Sequence, residues 1–212
     1  MKTKKNFCIA VCLLLGFVLW TILVCTVDVQ AIGPEGTTVG FATANGFIHN
    51  LTGVHMQLYI VTDWLGLIPF LFIAGFAGLG LYQWIKRKQL VRVDYSIRAL
   101  GVFYLVVMAA YALFELWVVN YRPVLINGSL EASYPSSTTM LVMCVMPTAI
   151  MQLNMRLQNK IVKKCVSSAI MLFTAFMVVS RFVSGVHWAS DIIGGVLLSA
   201  GLAVIYQAHI QG

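Results

Sequence analysis

The sequence predicts an all-α polytopic membrane protein, a bundle of six transmembrane helices with both termini in the cytoplasm. Of its 212 residues, 60% are hydrophobic and 10% are charged, and the mean hydropathy is +0.88. A soluble domain of this length cannot bury so much apolar surface. The apolar residues form runs of about 20, which is the length that a helix needs to cross a hydrocarbon core of about 30 Å. We therefore expect a single integral membrane domain over residues 1–212.

The basic residues give the topology. All but two of the 14 lysines and arginines lie in three clusters, at residues 2–5, 86–98 and 156–164. The positive-inside rule places these clusters on the cytoplasmic side. The net charge of +7 therefore reports orientation and contact with membrane lipids, and it does not indicate a nucleic-acid partner. The two exceptions, Arg122 and Arg181, would lie outside.

The first half of the chain supplies two spans and a long outer loop. The first span is predicted at residues 7–27, although the chain around Ala31 also resembles the cleavage site of a signal peptide. The loop at 28–55 has no basic residue, and its apolar middle, 39–51, favours a short helix along the membrane interface. The second span, 56–84, contains Asp63, and the sequence leaves open whether this side chain faces the interface or the bundle interior.

The second half supplies the other four spans, at about 95–119, 139–153, 165–180 and 188–206. Their ends alternate, so the loops at 120–138 and 181–187 should share the outer face. The five cysteines lie within or beside apolar runs without the spacing of metal ligands. The sequence thus predicts no disulfide framework, no metal site and no cofactor.

Residues 180–191, Ser-Arg-Phe-Val-Ser-Gly-Val-His-Trp-Ala-Ser-Asp, form the most informative stretch. Arginine, histidine and aspartate are rare at a membrane span and usually functional there. Arg181 offers a planar fork for phosphate oxygens. His187 and Asp191 are four residues apart, so the carboxylate can hold one imidazole nitrogen and leave the other free as a nucleophile. The pattern indicates phosphoryl transfer through a phosphohistidine.

This pattern of Ser-Arg, five residues, His, three residues and Asp resembles the third signature of the type-2 phosphatidic-acid phosphatase family. Its membrane members are six-helix, metal-independent lipid phosphatases. Arg122 and Pro123 resemble the end of the first signature, Lys, six residues, Arg-Pro. Glu115 stands where that lysine belongs. Glu115 pairs with Arg122 or Arg181 in one interpretation, and in another it stays protonated as a proton donor.

The second signature, Pro-Ser-Gly-His, corresponds to Pro135-Ser136-Ser137-Thr138. Proline and small hydroxyl residues suit the start of a helix, where free N–H groups bind anions, although ordinary capping gives the same pattern. The resemblance implies that His187 attacks phosphorus with Asp191 behind it. It also implies that Arg122, Arg181, Ser136 and the Ser137 backbone bind the phosphate oxygens.

Thr138 occupies the position of the histidine that protonates the leaving group in this family. General acid catalysis is worth about 10²–10⁴-fold. Its loss is severe when an alcohol leaves but small when a phosphate leaves as a stable anion. We therefore expect a preference for lipid diphosphates, such as prenyl diphosphates, over phosphate monoesters. Another acid beside Thr138 would weaken this expectation.

The sequence is compatible with three functions. The first is a lipid phosphatase of the cell membrane with its active site facing outside. The second is a phosphotransferase that passes the phosphoryl group from His187 to an acceptor other than water. The third is a catalytically inactive relative that binds lipid phosphates, which the departures at Glu115 and Thr138 favour. The sequence predicts neither the lipid nor the oligomeric state.

Overall fold

The computed structural model describes residues 2–211, and within this range the regular structure is helical. Two short 3₁₀ turns, Pro34–Gly36 and Leu90–Arg92, lie in connecting segments. The helices are α1 (Lys2–Thr26), α2 (Ala42–Thr52), α3 (Met56–Leu65), α4 (Ile68–Arg87), α5 (Tyr95–Leu116), α6 (Ser137–Arg156), α7 (Lys160–Val183) and α8 (Ala189–Gln211).

The prediction of six spans is confirmed, because six helical stretches of the described chain are long and apolar enough to cross a membrane. They are Thr3–Thr26, Met56–Arg87, Tyr95–Leu116, Ser137–Arg156, Lys160–Val183 and Ala189–Gln211. The second span is built from α3 and α4, which meet at Gly66 and Leu67. Pro69 lies in the first turn of α4, where its missing N–H costs nothing.

Helix α7 begins five residues earlier than predicted because Asn159 caps it. The Asn159 side chain accepts hydrogen bonds from the backbone N–H groups of Ile161 at 2.8 Å and Val162 at 3.2 Å. These groups have no partner inside the helix, so a cap of this kind stabilises the first turn. A short helix, α2, also exists where the sequence predicted one, and its position along the membrane interface stays a prediction.

Helix α8 is the most buried of the long helices, and α1 packs along it. A Cβ atom at Gly194 would lie 2.6 Å from the ring of Tyr134, and one at Gly201 would lie 2.7 Å from Leu14. A Cβ atom at either point would force the neighbouring side chain to shift, so the glycines allow the close approach. In α1, Trp20 Nε1 donates to the carbonyl of Ser190 at 3.0 Å.

A small antiparallel hairpin connects α5 to α6. Its turn is Asn127-Gly128, and both residues have positive φ angles, 51° and 76°. The N–H of Arg122 donates to the carbonyl of Glu131 at 3.0 Å, and the N–H of Ser133 donates to the carbonyl of Asn120 at 2.9 Å. These bonds fix which side chains of the two hairpin arms stand opposite each other.

The two ends of the bundle differ in charge. Helix α6 begins at Ser137 and ends at Arg156, about 30 Å away at 1.5 Å per residue. Arg156 lies 3.6 Å from Asp94, which joins the second and third basic clusters at one end. At the other end, the N–H of Ser136 donates to the carbonyl of Asp191 at 3.1 Å. The motifs singled out in the sequence therefore gather at the end opposite the basic loops.

Candidate active site

His187 lies in the short connection between α7 and α8 and is 4% exposed. Its Nε2 atom is 3.3 Å from Nη1 of Arg122. Its Nδ1 atom is 2.9 Å from the hydroxyl of Ser133. The two ring nitrogens thus face different groups, a cation on one side and a hydroxyl on the other.

Ser133 connects the imidazole to the buried carboxylate of Asp191. The Ser133 hydroxyl donates its proton to Oδ2 of Asp191 at 2.5 Å, so it can only accept from the ring. The network therefore assigns the proton of His187 to Nδ1 and leaves Nε2 unprotonated, where its lone pair accepts the hydrogen bond from Arg122 Nη1 at 3.3 Å. The sequence predicted direct contact between His187 and Asp191. That prediction is wrong, because among residues 2–211 neither a hydrogen bond nor an ion pair joins them.

Asp191 is fully buried in the first turn of α8. Its carboxylate also accepts from Asn120 Nδ2 at 3.0 Å and from the backbone N–H of Trp188 at 3.0 Å. The hydroxyl of Ser190 lies 3.4 Å away. A buried carboxylate with several donors is both satisfied and fixed in place. Asp191 can therefore hold Ser133, and through it the imidazole, in one orientation.

The surroundings of His187 keep its imidazole neutral. Burial lowers the pKa of His187 well below the ordinary value of 6.5, and the positive charges of Arg122 and Arg181 lower it further. A neutral imidazole with an unprotonated Nε2 atom is the nucleophilic form of the side chain. The site thus holds His187 at neutral pH in the form that can attack phosphorus.

Arg181 offers donors that no group in the described chain uses. It is 1% exposed, and its Nη2 atom donates to Oδ1 of Asp63 at 2.9 Å and to the hydroxyl of Thr138 at 2.6 Å. Its Nε and Nη1 atoms are buried without a hydrogen-bond partner among residues 2–211. A buried guanidinium N–H without a hydrogen-bond partner raises the free energy of the folded protein unless an anion binds to it.

Arg122 faces the same space from the hairpin. Its Nε atom forms an ion pair with Oε2 of Glu131 at 3.0 Å. The ring of Tyr59 lies 5.7 Å from the Arg122 guanidinium carbon and 4.7 Å from that of Arg181. Both cations therefore lie against one aromatic ring, an arrangement that is favourable for arginine. The two isolated arginines of the sequence are brought together around Tyr59.

Ser136 precedes α6 but does not cap it with its side chain. Its hydroxyl is buried and has no hydrogen-bond partner in the described chain. Ser137 follows as the first residue of the helix, where N–H groups lack intrahelical partners. The ordinary capping interpretation thus does not describe Ser136, and the start of α6 presents donors of the kind that bind anions.

Glu115 lies in the last turn of α5 and is exposed. It lines a small cleft together with Tyr111, Ser133 and Ser137. The expected pairing with Arg122 or Arg181 is wrong, because these arginines pair with Glu131 and Asp63. Glu115 therefore borders the site without neutralising either cation.

Sequence reasoning missed several residues that complete the site. They are Tyr59, Asp63, Asn120, Glu131 and Ser133. One signal was present for three of them, because Asn127-Gly128 favours a two-residue hairpin turn. That turn pairs Ile126 with Ser129, whereas the far end of the hairpin pairs Tyr121 with Ala132, two residues out of the register that the turn alone gives. The turn therefore indicates a hairpin in this segment but does not predict which of its side chains stand opposite each other.

Comparison with known proteins gives two matches. A model described as the PAP2 superfamily matches residues 115–211. A transmembrane PAP2-type phosphatidylglycerolphosphate phosphatase from Bacillus subtilis has a similar crystal structure, with a TM-score of 0.63. The two chains are 20% identical, and the match covers 95% of this chain and 96% of that one. No curated protein matches the sequence significantly.

Proposed function

This chain belongs to the PAP2 superfamily through residues 115–211, and from that premise we propose that it is a membrane lipid phosphatase that works through a phosphohistidine at His187. The solved relative is a transmembrane PAP2-type phosphatidylglycerolphosphate phosphatase, and its fold is similar to that of this chain at 20% identity. The activity proposed for this chain rests on its own residues, and the contacts around His187 support it.

One observation carries the proposal. The unprotonated Nε2 atom of His187 accepts a hydrogen bond from Arg122, and Arg122 and the orphaned donors of Arg181 lie against the same tyrosine ring. A phosphoryl group placed there meets a nucleophile on one side and guanidinium forks on the others. Guanidinium binds phosphate oxygens with charge-assisted, often bidentate hydrogen bonds. The buried hydroxyl of Ser136 and the start of α6 add neutral donors.

The first chemical step is an in-line displacement at phosphorus. The lone pair of His187 Nε2 forms the new N–P bond, and the bond from phosphorus to the leaving oxygen breaks with its electrons on that oxygen. The ring gains positive charge as the bond forms. Asp191 stabilises that charge through Ser133, which keeps its hydrogen bonds to both partners. Arg122 and Arg181 stabilise the charge on the phosphoryl oxygens.

The expected preference for a prenyl diphosphate also belongs to this proposal. Thr138 stands in the place of the leaving-group acid and bonds to Arg181. Asp63 lies beside it as the anionic partner of the same arginine. An ionised carboxylate has no proton to give, so Asp63 does not replace the missing acid. A leaving phosphate needs no proton, whereas a leaving alkoxide does.

We further propose that the protein lies in the cell membrane with both termini in the cytoplasm and the site facing outside. The basic loops lie at the opposite end of the bundle from His187, and loops of this kind stay on the cytoplasmic side. The substrate then enters from the outer leaflet. Neither a metal ion nor a cofactor is part of the proposed mechanism.

Phosphate release from two defined lipids tests the proposal. Purified protein in detergent receives either a prenyl diphosphate or phosphatidic acid, and the comparison variant is His187→Ala. We expect release from the diphosphate at least about 10²-fold faster, which is the low end of general acid catalysis. Release must vanish in His187→Ala. A strong preference for phosphatidic acid would refute the substrate preference, and activity retained by His187→Ala would refute the mechanism.

The same assay separates the two alternative functions. A phosphotransferase labels His187, releases little free phosphate, and passes the label to an acceptor alcohol or phosphate when one is added. An inactive relative binds the lipid without labelling. Each outcome contradicts the phosphatase proposal in a different way, so the three functions give three distinct results.

A further inference from the structure

Asp63 lies beside the position of the missing histidine although it belongs to none of the three signatures. It stands in the last turn of α3, 118 residues from Arg181. A single nitrogen, Arg181 Nη2, donates both to Asp63 Oδ1 at 2.9 Å and to Thr138 Oγ1 at 2.6 Å. The Asp63 carboxylate and the Thr138 hydroxyl therefore flank one donor. Thr138 is the residue that aligns with the acid–base histidine of the family.

We propose that Asp63 is the general base that activates water when the phosphohistidine at His187 is hydrolysed. This inference rests on the function proposed above. It assigns the residue that acts in the second chemical step, the hydrolysis of the phosphohistidine. The ion pair with Arg181 makes Asp63 an anion, and an anion can accept a proton but cannot donate one. The first step needs no acid if a phosphate leaves. The second step needs a base, because water is a weak nucleophile at neutral pH.

The exposed fractions of the Asp63 and Arg181 side chains support a role for Asp63 in binding water. The Asp63 side chain is 62% exposed, whereas that of Arg181 is 2% exposed. The carboxylate thus reaches from the edge of the pocket to a cation inside it. Only Oδ1 is engaged by Arg181, and the exposed remainder of the side chain has room for water. Such a role requires that water bound by Asp63 attack phosphorus from the side that the leaving group has vacated, opposite His187 Nε2.

The charged and polar groups around Asp63 come from four elements. Arg181 of α7 and Thr138 of α6 lie beside it. The ring of Tyr59, one turn earlier in α3, lies against Arg181 and also against Arg122 of the hairpin. Two cations thus border the phosphoryl position, and both remain in place when the leaving group has gone. Asp63 is the acidic side chain that contacts Arg181 in the described chain.

In the proposed second step, water hydrolyses the phosphohistidine at His187. A lone pair of the water oxygen forms the new O–P bond while the P–Nε2 bond breaks and its electrons return to His187. One proton of the water passes to the Asp63 carboxylate. Inorganic phosphate leaves with Arg122 and Arg181 as its last contacts. Asp63 then releases its proton to solvent, which its exposed side chain can reach, and the ion pair with Arg181 forms again.

A purely electrostatic explanation competes with this one. Asp63 could serve only to neutralise the buried guanidinium of Arg181. In that case its removal changes the affinity for phosphate and the rate of His187 phosphorylation, since Arg181 acts in both. It does not slow dephosphorylation selectively. A general base does the opposite, because its loss blocks only the step that consumes water.

The experiment follows labelled phosphate through both steps. Full-length protein in detergent receives a prenyl diphosphate with ³²P in the terminal phosphate. Quenched samples give the phosphoenzyme, and free phosphate gives the turnover. The proteins compared are the parent chain, Asp63→Asn, Asp63→Glu and His187→Ala. Glu35→Gln is the matched control, because Glu35 is an exposed acid in the loop after α1.

We expect Asp63→Asn to form the phosphoenzyme at a rate near that of the parent chain and then to retain it. Its turnover falls by about 10²–10⁴-fold, the usual range for a general base. Label then accumulates toward one phosphate per chain. Hydroxylamine, which needs no deprotonation to attack, restores release from Asp63→Asn. Asp63→Glu keeps a carboxylate and part of the turnover, and Glu35→Gln behaves as the parent chain does.

Two results would overturn the assignment. Turnover of Asp63→Asn within a few-fold of the parent rate removes any catalytic role for the carboxylate. Slower labelling of a folded Asp63→Asn, without accumulation, places Asp63 in the first step or in phosphate binding. Failure of the function proposed above is a separate outcome, because then the parent chain itself gives no label that depends on His187.

Discussion

The hydroxyl of Ser133 lies 2.9 Å from Nδ1 of His187, although 54 residues separate them in the chain. Ser133 ends the hairpin before α6, and His187 lies in the connection before α8. The same hydroxyl donates to Asp191 at 2.5 Å. The nucleophile is therefore oriented through a serine and not by the carboxylate directly. This hydrogen bond decides which ring nitrogen is unprotonated. Four predictions depend on it and on the residues around it.

Replacing Ser133 with alanine should reduce turnover without unfolding the protein. The change removes the group that fixes the imidazole and leaves Asp191 with its other donors. We expect a loss of about 10- to 100-fold in kcat, the effect of removing a partner that orients a functional histidine. KM should change little, since Ser133 does not face the phosphate. The measurement is steady-state phosphate release from a prenyl diphosphate.

Ser190→Ala is the comparison for that variant. Ser190 lies 3.4 Å from Asp191 but does not contact His187. Its loss should cost less than the loss of Ser133. Equal effects of the two substitutions would mean that Ser133 acts only by satisfying Asp191, and the proposed orientation of the ring would then be wrong.

His187 should stay neutral at a pH where an exposed histidine is protonated. Its pKa lies well below the ordinary 6.5, first because of burial and then because of Arg122 and Arg181. A lowered pKa means that the neutral, nucleophilic form persists as the pH falls through 6.5. Nitrogen NMR of the imidazole should follow this titration in protein whose other three histidines are replaced. Arg122→Gln should raise the midpoint, and a midpoint at or above 6.5 in the parent chain would contradict the burial argument.

Thr138→His should restore a leaving-group acid. We expect hydrolysis of phosphatidic acid to rise by about 10²-fold or more, because an alcohol leaving group needs a proton. Hydrolysis of a prenyl diphosphate should change by only a few-fold. The ratio of the two rates is the quantity to measure. An equal rise for both substrates would show that Thr138 limits a step other than leaving-group departure.

Glu115→Lys should strengthen phosphate binding. Glu115 borders the cleft that also contains Ser133 and Ser137, and the family places a lysine at this position. The substitution changes the local charge by two units. We expect a several-fold lower KM, with a gain that shrinks as salt rises, because exposed charges are screened. Glu115→Gln removes only the negative charge and should give about half of the effect in free energy.

Much of the architecture follows from the sequence because a bilayer imposes length and polarity on each span. The six spans and the segregation of basic residues are of this kind. The residues of the third signature were also predictable, since Arg181, His187 and Asp191 are chemically conspicuous in an apolar chain. The break between α3 and α4 at Gly66 was not, because one long apolar run hides it.

The contacts between signatures could not be predicted from spacing alone. His187 and Asp191 have the spacing of a helical pair, yet His187 precedes α8, so that spacing does not bring the side chains together. The partner of Arg181 is Asp63, from a span whose orientation the sequence left open. The partner of Arg122 is Glu131, which depends on the register of the hairpin. Each of these pairings is decided by packing between distant segments.

The most direct test of the account is the site and chemical form of the enzyme-bound phosphate. The protein is quenched during turnover of a ³²P-labelled prenyl diphosphate and digested at alkaline pH, where phosphohistidine is stable. The phosphohistidine mechanism predicts label on His187 at Nε2. The label is lost in His187→Ala and raised in Asp63→Asn. Label at Nδ1, or on any other residue, would contradict the orientation of the ring by Ser133 and with it the proposed mechanism.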